Sequence, residues 1–158
     1  MQDNEVQTPA ATEAPAYLDG ALLSRMAHGG AAVLKDKAEE VNRLNVFPVP
    51  DGDTGVNMFR TIESGVAALD RMESGNLSEV MQALSHGMLL GARGNSGVIL
   101  SQFFSGMAKG LDGCEKADCR TIGAALETAV KQAYRAVLTP TEGTILTVAR
   151  EAVEYAVS

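Results

Sequence analysis

NVFPVPDGDTGVNM, residues 45–58, places prolines at 48 and 50, aspartates at 51 and 53 and glycines at 52 and 55 between two stretches that read as helix. Each proline holds its own φ and keeps the residue before it out of the α region. Gly52 and Gly55 permit backbone angles that most residues avoid. The stretch is therefore a shaped loop, and it presents Asp51 and Asp53 close together. Two carboxylates so near each other repel, so a compensating charge is expected. Their hard oxygens are the ligands that Mg²⁺ and Ca²⁺ prefer. An EF-hand is excluded. Counted from Asp51, Val56 stands where that loop needs glycine and Ile62 where it needs glutamate. Mg²⁺, which takes one or two protein carboxylates and completes its octahedron with water and phosphate oxygens, suits the loop better. A plainer alternative stays open, in which one aspartate caps the next helix and the other turns the loop.

Outward from this loop the chain reads as helix on both sides. Upstream, residues 17–44 carry Leu18, Leu22, Met26, Val33, Leu34, Ala38, Val41 and Leu44 at helical spacing, with Gly29 and Gly30 as a kink or a close helix contact. Downstream, helices are expected from about Gly55 to Met72, from Leu77 to Leu90 and through the apolar run after GARGNSG, with Leu100, Phe103, Phe104, Met107 and Leu111 on one side. The cleanest amphipathic pattern runs from Thr121 to Leu138, and a last helix from Thr144 to Val157. No segment alternates strictly, and β-branched and aromatic residues do not cluster into strands. The expected fold is all-α, about six helices joined by short connections and so packed antiparallel. The last helix runs to the end of the chain without a terminating glycine, the pattern of a bundle whose closing helices are missing.

Composition narrows the function. With 158 residues and 46% apolar content the chain can bury a core. A net charge of −7 and the lack of a basic stripe argue against a nucleic acid partner, and a bound polyanion would need cations to mediate it. No apolar run approaches the length of a membrane span. Residues 1–16 are polar, carry two prolines and lack the basic-then-apolar order of a secretory signal, so they read as a flexible tail. Cys114 and Cys119 have no further cysteine or histidine nearby for zinc; a local disulfide or two free thiols in a reducing cytoplasm both fit. His28 and His86 lie in helical stretches without an obvious partner. Met81, Met88 and Met107 suit core filling.

Two more glycine-rich junctions precede helices. GARGNSG (91–97) lacks the lysine and following Ser or Thr of a Walker A loop, and its glycines fall at every third position, unlike GxGxxG. It can still hold an anion, because glycines let backbone N–H groups approach a phosphate and the helix dipole favours negative charge. Arg93 could add a fixed positive charge there and Ser96 a hydroxyl. TPTEGTILTV (139–148) stops one helix at Pro140 and starts another at Thr141 or Thr144. Each junction alone is also ordinary turn and cap chemistry. If all three meet on one rim, they form a metal-and-phosphate site.

NVFPVPDGDTGVNM, GARGNSGVILSQFF and TPTEGTILTVA, in this order and at these intervals, resemble the N-terminal domain of bacterial fatty acid kinase. That domain is similar to the nucleotide-binding (DhaL-type) L subunit of dihydroxyacetone kinase. The resemblance covers residues 17–158. It implies a barrel of eight antiparallel helices that binds ATP or ADP at one end through Mg²⁺. It further implies that Asp51 and Asp53 ligate the metal, that Thr54 and Asn57 lie beside the phosphates, that Gly94, Asn95 and Ser96 form the phosphate-binding helix start, and that Thr144 lines the nucleotide pocket. The dihydroxyacetone type carries a third aspartate roughly where this chain has Asn45, which offers only a neutral carbonyl as a ligand. The DGDTG form looks like the fatty acid branch, since the other branch usually has a histidine after the second aspartate. The family's last helices have no counterpart here.

The implied partner is a separate fatty-acid-binding protein of the DegV type, and the implied product is an acyl phosphate. A fatty acid carboxylate is already ionised near pH 7 and needs no general base. The residues are therefore read as metal holders and phosphate binders, with Arg93 as a candidate stabiliser of transition-state charge. Dihydroxyacetone phosphorylation is the alternative reaction. A nucleotide-binding module without catalysis, or a purely structural helical domain, are the alternatives of another class.

Overall fold

The computed structural model describes residues 16–158, so the expected tail lies, but for Ala16, outside the described residues. The elements in chain order are β1 (Leu18–Asp19), α1 (Gly20–Leu44), α2 (Thr54–Leu69), α3 (Leu77–Leu90), α4 (Gly94–Gly110), β2 (Lys116–Ala117), α5 (Cys119–Arg135) and α6 (Ile145–Val157). The fold is all-α. Its two strands only clip the chain, Leu18 opposite Ala117 and Asp19 opposite Lys116 in an antiparallel pair.

Four of these helices begin on their own capping side chain. Asp19 accepts from Leu22 N–H (2.8 Å), Asn76 from Glu79 (3.2 Å), Asp118 from Thr121 (2.8 Å) and Thr144 from Leu146 (3.3 Å). Each satisfies one of the orphan N–H groups that a helix leaves in its first turn. The starts of α2 and α4 lack such a bond.

Helix α3 is the innermost. Leu77, Met81, Leu84 and Met88 are fully buried on it, and α1, α2 and α4 pack around them. The core continues through Leu23, Ala27 and Ala31 of α1, Ile62 and Leu69 of α2, Leu111 and Ala125. The methionines fill this space as expected, Met81 and Met88 inside it and Met107 against it. The buried face of α1 shares Ala38 with the predicted one and otherwise differs from it. It is Gly20, Leu23, Ala27, Ala31 and Ala38, while Met26, Val33 and Leu44 are exposed. The reason is close helix approach: a Cβ added at Gly55 of α2 would fall inside contact distance of the Ala38 backbone. Helix α5 repeats the device with Ala125 and Ala129, which admit Gly110 and Gly106 of α4 to backbone contact. Gly29 and Gly30 lie on the exposed side of α1, and nothing stands within 4 Å of a Cβ added at either, so they make no close helix contact.

Chain direction alternates. The residues just past the C-terminal ends of α1 and α5 line the same cleft as the N-terminal ends of α2, α4 and α6. Helix α3 also runs toward that end, since only residues 91–93 separate it from α4. The antiparallel arrangement thus gathers the three predicted junctions at one end. Among the described residues no helix is long and apolar enough to cross a membrane. Cys114 and Cys119 are free.

Candidate functional site

The cleft at this end has a volume of about 620 Å³, within the range of small-molecule sites. Asp51, Asp53 and Thr54 form one part of its wall, Asn95 and Ser96 a second, and Thr139, Thr141 and Thr144 a third. Phe47, Val49, Val98, Ile99, Val137 and Leu138 supply an apolar side. No lysine, arginine or histidine is among the lining residues.

The aspartate loop is shaped from within. Asn45 donates from Nδ2 to the Val49 carbonyl (2.9 Å), and its Oδ1 accepts from Gly52 N–H (3.0 Å). Its side-chain oxygen thus braces the loop, a use that competes with the ligand role considered from the sequence. Gly52 takes a φ of 68°, a left-handed angle glycine accepts without strain, and the Phe47–Pro48 peptide is cis. Asp51 and Asp53 are exposed, and neither carboxylate is hydrogen-bonded to any described residue; Asp53, although the residue before α2, makes no cap bond. Two free carboxylates on a cleft wall fit Mg²⁺, which asks for one or two and takes its remaining oxygens from water and phosphate. Among the described residues no cluster of three or more His, Cys, Asp and Glu side chains forms.

The start of α4 is set against α2. Thr61, fully buried, donates to the Asn57 carbonyl (2.7 Å) and accepts from Arg93 N–H (3.2 Å). Ser96 Oγ donates to the Thr54 carbonyl at a long 3.4 Å. Gly94, at φ 59°, meets the Asn57 amide so closely that a Cβ there would fall inside it. The helix itself starts at Gly94, four residues earlier than the apolar run suggested, so GNSG is its first turn. Its first backbone bond runs from Gly97 N–H to the Arg93 carbonyl (3.0 Å), and no side chain caps it. The N–H groups of Gly94, Asn95 and Ser96 precede that bond and are left for a ligand or water.

The third junction hangs on Glu142. Its carboxylate accepts from the Thr147 hydroxyl (2.7 Å), the Tyr134 hydroxyl (3.0 Å) and Arg150 Nη2 (3.1 Å), which ties the loop before α6 to both α5 and α6. The Thr147 hydroxyl first, then Arg150 and Tyr134, hold the Glu142 carboxyl below the usual range. Thr144 caps α6 and donates to the Thr141 carbonyl (2.8 Å).

The pattern of the DAK2 domain matches residues 48–158, a span that begins inside the aspartate loop, takes in Asp51 and Asp53 and contains the other two junctions whole. The chain belongs to the DAK2-domain family. It is a nucleotide-binding module of the dihydroxyacetone-kinase-like kind. It is 48% identical over 139 residues to Protein YloV of Bacillus subtilis, covering 88% of this chain and 25% of that protein. Uncharacterized proteins of Staphylococcus saprophyticus and Staphylococcus epidermidis are 46% and 45% identical, with 89% and 88% of this chain and 25% of each relative covered. The chain thus spans about a quarter of the length of these relatives.

Among the residues singled out from the sequence, the cleft wall of this DAK2 domain includes Asn45, Asp51, Asp53, Thr54, Asn95, Ser96 and Thr144. Asn57 and Gly94 stand behind the wall as the contact between α2 and α4. Arg93 is not on the wall. Its Nη1 donates to the neighbouring Ala92 carbonyl (3.1 Å) and its side chain is exposed. Sequence reading missed Asn42, Thr61 and Glu142. A capping pattern could have flagged Glu142, since it follows a helix-stopping proline; nothing local marks the other two.

Proposed function

We propose that the cleft binds ATP or ADP with Mg²⁺, and that the chain is the nucleotide-binding domain of a kinase. Its acceptor is a fatty acid carboxylate presented by a separate fatty-acid-binding protein of the DegV type, and its product an acyl phosphate. The supporting observation is the make-up of the wall: three helix N-termini and two unpaired carboxylates, with no cationic side chain. Helix N-termini attract phosphate, whereas Asp51 and Asp53 repel it. A cation between phosphate and aspartate reconciles the two. Mg²⁺ there supplies charge neutralisation on the phosphates, the chief requirement of phosphoryl transfer.

Each group of the chain then has a task. Asp51 and Asp53 hold the metal. The N–H groups at Gly94, Asn95 and Ser96 and the Thr54 hydroxyl orient phosphate oxygens, and Thr144, whose hydroxyl proton is committed to the Thr141 carbonyl, lines the nucleotide pocket. The side formed by Phe47, Val49 and Leu138 covers the base and keeps water from it. An ionised carboxylate attacks without a general base, and this cleft offers none beyond the two aspartates. An alcohol acceptor would need deprotonation, and Thr54 stands where the dihydroxyacetone branch usually carries histidine. Both points favour the carboxylate acceptor.

The test mixes the chain with ATP and Mg²⁺ and, in separate arms, with a loaded fatty-acid-binding protein of that type or with dihydroxyacetone, and traps acyl phosphate with hydroxylamine. Hydroxamate that requires both proteins is the expected result. Dihydroxyacetone phosphate without hydroxamate would overturn the acceptor and leave the nucleotide site standing. Mg²⁺-dependent ADP binding without transfer to either acceptor would select a non-catalytic module.

A further inference from the structure

Helix α2 is capped from another helix. Asn42, in the last turn of α1, accepts at Oδ1 from Gly55 N–H (2.8 Å) and Val56 N–H (3.2 Å). Those are the donors that an N-cap side chain normally takes. The residue in the N-cap position is Asp53, a preferred capping residue, yet its side chain makes no such bond and its ψ is 3°. The four self-capped helices have extended backbones at that position, with ψ of 177° at Asp19, 124° at Asn76, 175° at Asp118 and −173° at Thr144. The chain thus uses aspartate twice as an ordinary cap, and at Asp53 withholds it.

We infer that Asn42 is a positioning residue for the cation site: by capping α2 from α1 it leaves the Asp53 carboxylate free to hold a divalent cation. The inference rests on the Mg²⁺ reading above for the role of Asp53, but not on any nucleotide. The chemistry is a competition for one carboxylate. An uncapped first turn presents two N–H donors two and three residues from Asp53, and a carboxylate is their best local acceptor. Engaged there, it is turned from the cleft and part of its charge is already satisfied. Asn42 removes the competitor. Being neutral, it does so without adding a third negative charge beside Asp51 and Asp53. It also locks the end of α1 to the start of α2 across the aspartate loop, whose geometry Asn45 sets one turn further along.

The experiment uses Mn²⁺ alone as a probe, followed by paramagnetic broadening of the amide signals of residues 51–56 in the nucleotide-free chain. Asn42→Ala should weaken Mn²⁺ binding about fivefold, the equilibrium weight of one helix cap. Asp53→Asn should weaken it at least as much. The double variant should bind no more weakly than Asp53→Asn, since the competition vanishes once the carboxylate is gone. Asn42→Asp keeps the acceptor and should bind Mn²⁺ at least as tightly as the unmutated chain. Unchanged binding in Asn42→Ala would overturn the inference. So would losses that multiply in the double variant, or an Asn42→Asp chain as weak as Asn42→Ala, the signature of a merely structural residue. Because no nucleotide is present, failure of the ADP or acceptor reading leaves these outcomes readable, and absence of broadening at residues 51–56 in the unmutated chain refutes the inference outright.

Discussion

Substituting Gly97 by alanine sets helix propensity against packing, and the structure decides the sign. Gly97 lies in the first turn of α4 and is buried. On propensity alone, alanine in a helix is better than glycine by about 1 kcal/mol. A Cβ at this position, however, would come inside contact distance of Thr61 Oγ1 and within 3.3 Å of the Asn57 carbonyl. Thr61 has nowhere to go: it is fully buried, and its hydroxyl joins the Asn57 carbonyl to Arg93 N–H. Forcing a methyl into a packed contact costs about 1–3 kcal/mol, and losing one bridging hydrogen bond about 1 kcal/mol more. The balance is a destabilisation of about 2 kcal/mol, or roughly 4–8 °C in melting temperature for a domain of this size. Thermal and urea unfolding of Gly97→Ala, Thr61→Ala and the double variant measure it. The double variant should recover part of the Gly97→Ala loss, because its obstacle has been removed. A Gly97→Ala chain as stable as the parent or more stable, or losses that simply add, would refute the reasoning that α2 and α4 are locked at this contact.

Gly30→Ala is the contrasting case: nothing stands within 4 Å of the added Cβ in mid-α1, so calorimetric melting should show a gain of about 0.5–1 kcal/mol. His28 donates to the Ser24 carbonyl (2.7 Å) and pairs with Asp70 (2.9 Å), a partner the sequence did not reveal, and these two, the Ser24 bond foremost, raise its pKa above 6.5. Its stabilisation is therefore full below pH 6.5 and is lost as pH rises through the raised folded value. In an exposed pair it amounts to about 0.5 kcal/mol. The parent should lose that advantage over His28→Ala as pH rises above 6.5, as denaturant midpoints would record. The Glu142 carboxyl is shifted the other way, so its contribution is present above its unfolded value of about 4.5 and lost as pH falls through the lowered folded one. Glu142→Gln should remove that acid-side dependence and raise the hydrogen-exchange rate of Gly143 N–H, which donates to Thr147 Oγ1 (2.7 Å).

Much of this was legible because punctuation residues act locally. The prolines at 48, 50 and 140 and the glycines at 52, 91 and 94 marked the three junctions, and alternation of short-linked helices brought them to one end. What was not legible depends on the neighbour. The inner face of α1 is mostly small, with Ala27, Ala31 and Ala38 beside Gly20 and Leu23, and a pattern sought among large apolar side chains picks Met26 and Val33 instead, which are exposed. The first turn of α4 reads as loop because glycine, asparagine and serine are poor helix formers, and tertiary contact with Asn57 and Thr61 settles it as helix. Asn42 was invisible because its two acceptor bonds reach residues 13 and 14 positions away. Arg93 was attractive on charge alone, yet in the first residue before α4 it points out to solvent and back to its own backbone.

In the function proposed, Asp51 and Asp53 bridge the cleft to phosphate through a divalent cation. Calorimetric titration of ADP, with and without Mg²⁺, on this chain and on the Asp51→Asn, Asp53→Asn double variant tests it most directly. Binding that requires Mg²⁺ and disappears in the double variant is the predicted result. Binding that persists in the variant, or that is indifferent to Mg²⁺, would contradict the account and remove the aspartates from the nucleotide site.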